Sequence, residues 1–187
     1  MIAMLPKSLE VCGVCYDINS DYRNVLRIFE AFNDNAITDA EKAYICLKRL
    51  YRTDIPDQHI EEAIHKAYWF CDGGDIPKTK PDGIQTIDWS HDGSFLFPAV
   101  SKAAGVVDIR AMEYLHWWTF LGFFGEIGEG LFSTVVQLRR KLAEGRKLEK
   151  YELEFYERNK NLIIIRSPEE QAAVDETEAY LNELLGE

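Results

Sequence analysis

Positive charge is scarce in this chain: its 187 residues carry 21 Lys and Arg against 32 Asp and Glu, a formal net charge of −11. A dedicated nucleic-acid binder shows the opposite footprint, a basic patch or stripe. Anionic lipid likewise attracts basic segments, so the balance argues against both partner classes. Long apolar runs are missing too. The most apolar window, Tyr114 to Phe124, lies between Glu113 and Glu126 and falls short of the roughly 20 apolar residues of a membrane-spanning helix. Met1-Ile2-Ala3-Met4-Leu5-Pro6 has neither the basic start nor the apolar stretch of a secretory leader. Cysteines number four, Cys12, Cys15, Cys46 and Cys71, and fit reduced cytosolic thiols at least as well as a disulfide frame. There is no internal repeat, no low-complexity tract and no Walker, Rossmann, G-x-S-x-G, HExxH or EF-hand signature. What is present is a chain with 47% hydrophobic residues, long enough to bury a core without staples.

The patterning is mostly helical. Leu9 to Ile18, rich in Val, Cys and Tyr and broken by Gly13, predicts two short strands around a tight turn. Tyr22 to Phe32 spaces Val25, Ile28, Phe29 and Phe32 for a helix that Asp21 caps. Thr38-Asp39-Ala40-Glu41 is a capping box; its helix should run to about Arg52 and bury Tyr44, Ile45, Leu47, Leu50 and Tyr51. Asp57 should cap the next helix, which carries Ile60, Ala63, Ile64, Ala67, Tyr68 and Phe70 to a left-handed stop at Gly73-Gly74. Gly73 to Gly83 predicts a loop. Gly93 to Ala104 predicts a helix despite Pro98, and Asp108 should cap a strongly apolar helix from Ile109 to Phe124. Leu131 to Leu142 and Leu148 to Arg158 follow as helices. Ser167-Pro168-Glu169-Glu170 opens a last one to about Leu185. The expected architecture is mainly α: a compact helical bundle over 1–162 with an N-terminal β-hairpin at about 9–18, and an acidic helical arm over 163–187.

Few residue groups suggest chemistry. Cys12-x-x-Cys15 lacks the second ligand pair of a zinc ribbon and reads as two small residues on a hairpin. Glu113-x-x-His116, with Glu126 and Glu129, provides one of the two motifs that a di-iron bundle needs. Asp88, His91 and Asp92 form a polar trio suited to a metal or to acid–base work, or to an ordinary helix entry. No cofactor site emerges. Trp117-Trp118 with Phe120, Phe123 and Phe124 is the most unusual cluster. Adjacent tryptophans lie about 100° apart around a helix, so this helix is buried on all sides, sits in an interface, or lines an aromatic pocket. Arg139-Arg140-Lys141, continued by Arg146, Lys147 and Lys150, is either a solvated face or a docking stripe for an acidic segment. The partner-binding candidates are therefore Trp117, Trp118, Phe120, Phe124, Arg139, Arg140 and Lys141.

The order of short elements resembles the bacteriophage "gene product fifteen" family, encoded in the tail-morphogenesis region of phages and prophages of Gram-positive bacteria. The elements are Leu5-Pro6, Tyr16-Asp17-Ile18, Asp21-Tyr22-Arg23, Glu41-Lys42, Ile55-Pro56, Glu62-Ala63-Ile64, Phe70 to Gly74, Asp88, Asp92, Val107-Asp108-Ile109, Leu115-His116-Trp117-Trp118 with Phe120, and Leu138-Arg139. Leu-His-Trp-Trp is the specific one. The resemblance spans about Leu5 to Leu162 and departs at Ala104 to Ile109. It implies a non-enzymatic tail assembly chaperone or closely related tail morphogenesis factor in the host bacterial cytoplasm. Such a factor coats the tape measure protein, recruits tail tube subunits and leaves the finished particle. Self-association is the further partner expectation. Alternatives are a permanent tail or connector component of the virion, and a small metal-dependent enzyme using Asp88, His91, Asp92, Glu113 and His116.

The acidity is not uniform. Ser167 to Glu187 contributes −7 of the −11, whereas Arg139 to Lys150 is locally +4. An acidic arm facing a basic stripe is therefore expected.

Overall fold

The structure is a computed structural model and describes residues 4–34, 36–75, 83–165 and 170. It is mainly helical with one short antiparallel hairpin at the front. Strands β1 (Ser8–Val11) and β2 (Val14–Asp17) pair with Val11 opposite Val14, which leaves a two-residue turn, Cys12-Gly13. Both turn residues have positive φ, 49° and 75°, as the twist-matched hairpin turn requires. Leu9 and Val11 point inward and are buried.

Helix α1 (Tyr22–Asn33) opens as its sequence predicts, with the Asp21 carboxylate accepting from the Arg23 N–H. Burial pushes the Asp21 carboxyl up, but bonds from Arg23 and the Leu115 N–H outweigh it, so its pKa lies below the usual carboxylate value. Helix α2 (Asp39–Leu50) carries the full Thr38–Glu41 capping box. Its buried stripe differs from the expected one. Cys46 and Leu50 are buried, while Tyr44 is 61% exposed and lies under the Lys48 ammonium. Asp57 makes no cap bond. It begins a 3-10 turn, Asp57–His59, which feeds helix α3 (Ile60–Cys71). Gly73 and Gly74 end α3 with φ of 78° and 87°. The loop expected over 73–83 falls largely, and the helix from Ser167 to Leu185 almost wholly, outside the described residues.

Helix α4 (Gly93–Ala104) forms through Pro98 and ends on the left-handed Gly105. The single long helix expected from Ile109 to Phe124 is instead two pieces. Asp108 caps a 3-10 turn, Ile109–Ala111, and α5 (Trp117–Gly125) starts separately with His116 as its cap. The break has a physical cause. The backbone of 115–117 is bonded to the β2–α1 junction, Tyr22 N to Leu115 O at 2.9 Å and Trp117 N to Ser20 O at 2.8 Å. Those groups cannot also serve a helix ladder. Helices α6 (Leu131–Ala143), α7 (Lys150–Arg158) and α8 (Lys160–Ile163) complete the described chain. Tyr22, Phe70, Trp117 and Phe120 are the largest fully buried side chains. No helix among the described residues is long and apolar enough to cross a membrane.

Candidate partner-binding surface

The Leu115-His116-Trp117-Trp118 segment is a crossing point of the fold. A helix leaves its last carbonyls without i+4 ladder donors, and the two indoles reach two of them at the end of α3: Trp117 Nε1 donates to Cys71 O at 2.8 Å and Trp118 Nε1 to Phe70 O at 2.9 Å. The adjacent tryptophans thus straddle one helix end, although their positions diverge around α5. Trp118 lies against Gly74, where a Cβ would meet its ring at 2.8 Å. That close approach and the positive φ both require glycine at 74. His116 Nδ1 accepts from the Trp118 N–H at 3.0 Å, which leaves Nε2 to carry the proton and donate to Pro6 O at 2.9 Å. Burial holds this imidazole below the ordinary histidine pKa.

The trio Asp88, His91 and Asp92 serves a second junction. Asp92, fully buried, takes a bidentate grip from Arg139, with Nη1–Oδ2 at 2.6 Å and Nη2–Oδ1 at 2.7 Å. The three remaining Arg139 N–H groups donate to Ile163 O, Thr86 O and Leu162 O. Burial raises the Asp92 carboxyl, but bonds from Arg139, His91 and the Asp88 N–H bring its pKa below the usual carboxylate value. His91 places its ring nitrogens on Asp92 Oδ1 and Asn161 O. Asp88 Oδ1 accepts the N–H groups of Ser90 and His91. These groups tie the 84–92 segment, α6 and α8 together. No three His, Cys, Asp or Glu residues among the described ones come together to hold a metal.

The sequence-predicted candidates therefore separate. Trp117, Phe120 and Arg139 are buried, so they support the fold from within rather than face a partner. Trp118 and Phe124 are half-buried. Arg140 pairs with Glu144 and Lys141 with Glu152, so these two cations of the basic stripe already have partners within the body.

One surface was not expected from sequence. A groove of about 510 Å³ runs between α4 and the 126–132 segment. Its α4 bank is Ser94, Phe95, Pro98, Ala99, Lys102 and Ala103, and Ile127, Leu131 and Phe132 face them. Phe132 sits 6.1 Å from Phe95 and 5.7 Å from Phe124 by ring centroids, so the floor continues into the Trp89–Phe120–Trp117 aromatic core. The signals were present but dispersed: Ala99 and Ala103 one turn apart on α4, and a glycine-rich turn carrying Glu126 and Glu129.

The chain has no match among curated proteins or among solved structures. The family model described as "Bacteriophage Gp15 protein" matches residues 1–164, nearly the whole described chain, and this protein belongs to that bacteriophage family.

Proposed function

We propose that this bacteriophage protein is a non-enzymatic tail assembly chaperone that binds the tape measure protein, with tail tube subunits as further partners, in the host cytoplasm. The observation that carries the reading is the groove along α4: an apolar surface with an aromatic floor on a body whose Asp88–His91–Asp92 trio and His116 are bonded internally. Exposed apolar grooves rimmed by charge are what binding surfaces look like. An assembly factor needs a docking face and no reacting constellation.

Co-expression with the tape measure protein of the same phage tests this. A soluble complex eluting together on a sizing column is expected. A tape measure protein that stays insoluble, with this chain eluting alone, overturns the proposal.

A further inference from the structure

We propose that the occupant of the α4 groove is an amphipathic helix whose polar flank carries Lys or Arg facing Glu126 and Glu129. The inference rests on reading the groove as the partner site and names the chemistry of what enters it.

Shape comes first. The lining positions of α4 are spaced i, i+1, i+4, i+5, i+8 and i+9 from Ser94, a single stripe that runs along the helix. From Ser94 to Ala103 the stripe covers roughly 14 Å at 1.5 Å per residue. That length matches the i, i+3/i+4, i+7 anchors of one opposing helix. Ala99 and Ala103 keep this bank low, and no atom crowds the Cβ positions of Gly128 and Gly130 on the other, so an incoming backbone can approach closely. An added strand has no comparable place, because the sheet among the described residues is the β1–β2 hairpin, which does not line the groove.

Charge then selects the helix. The Glu126 and Glu129 carboxylates have no hydrogen-bond or ion-pair partner among the described residues, and Lys102 is the only cation among the lining residues. The rim therefore offers two carboxylates against one ammonium. An apolar stripe flanked by Lys or Arg toward Glu126 and Glu129 complements it, and the net charge of −11 steers such a segment in.

The test uses the full chain, isotope-labelled for amide NMR, and three synthetic peptides of about 18 residues. Two share the same leucine stripe, one with Lys flanks and one with Glu flanks; the third is the Lys peptide with its order scrambled. Saturable binding of the Lys-flanked peptide is expected, with shifts at Ala99, Lys102, Gly128 and Gly130. The Glu-flanked peptide should bind about tenfold more weakly at low salt, and high salt should erase the difference. Glu126→Lys with Glu129→Lys should reverse the preference. Ala103→Trp should abolish binding of both ordered peptides, with an unchanged circular dichroism spectrum showing that the fold is kept. Equal binding of the two ordered peptides, binding of the scrambled peptide as tightly, or shifts clustered elsewhere would each overturn the proposal. If Ala103→Trp still co-elutes with the tape measure protein, the chaperone reading stands and the groove is not its site. If the unmodified chain fails to co-elute, the chaperone reading falls on its own.

Discussion

At the N-terminal end of α4, the Arg139 guanidinium finds an acceptor for each of its five N–H groups. Around the groove on the outer side of the same helix, the side chains of Lys102 on α4 and of Glu126 and Glu129 on the facing bank have no hydrogen-bond or ion-pair partner among the described residues. The first neighbourhood is buried and saturated; the second is open and unspent. Burying a charge is tolerable only with complete pairing, so the Asp92–Arg139 corner has no capacity left for a ligand. The rim charges remain hydrated and cost little while they wait for a partner. Polar residues alone therefore do not mark a binding site. The informative quantity is whether their bonds are already made.

The largest effect expected from this contrast is Arg139→Met, which strands Asp92 and the Thr86, Leu162 and Ile163 carbonyls. It should lower unfolding free energy by about 3–5 kcal/mol. Glu126→Gln with Glu129→Gln should stay within about 0.5 kcal/mol. Urea titrations of both variants compare the two neighbourhoods directly, and similar losses would break the distinction. Trp117→Ala removes a fully buried ring and the bond to Cys71 O. A loss of about 3–5 kcal/mol is expected, and Trp118→Ala, at a half-buried position, should cost less.

A smaller effect sharpens the contrast by pH. His116 is held neutral in the fold, with its pKa depressed by burial and further by Lys7. The unfolded state therefore binds the proton first. The stability from this residue is full above the ordinary histidine value near 6.5 and is lost as pH falls through the lower folded value. Losing the α5 cap is worth about 0.5–2 kcal/mol. His116→Asn, which keeps a cap acceptor, should flatten the stability profile between neutral and mildly acid pH; an unchanged slope would remove His116 from the account. The smallest effect is of opposite sign. Tyr22 Oη is the buried side-chain polar atom without a partner among the described residues. Tyr22→Phe should leave stability unchanged or raise it by about 1 kcal/mol, measured by thermal unfolding.

Apart from the Asp57 cap, local signals were legible in the sequence where both partners of an interaction lie within one helical turn. The Asp21 cap, the Thr38–Glu41 box and the Gly73–Gly74 stop all formed as the residues indicated. Interactions across the fold were not legible in that way. The helix break at 112–116 depends on Asp21 and Tyr22, which Leu115 meets across about 90 residues of sequence. Arg139 looks like one cation in a basic stripe until Asp92, 47 residues away, is brought to it. The groove was hidden for the same reason. Its banks are separate segments, Pro98 reads locally as a helix breaker, and Glu126 and Glu129 read locally as candidate metal ligands.

The crossing at Leu115 to Trp118 also sets a timetable. On a ribosome adding about 5–20 residues per second, residue 115 emerges some 5–20 s after residue 21, its partner 94 positions earlier. Until then α1 lacks its Leu115 contact and α3 lacks its indole caps. Contacts so distant in sequence slow folding. The docking of α1 and α3 onto this crossing therefore depends on a short segment made in the second half of synthesis.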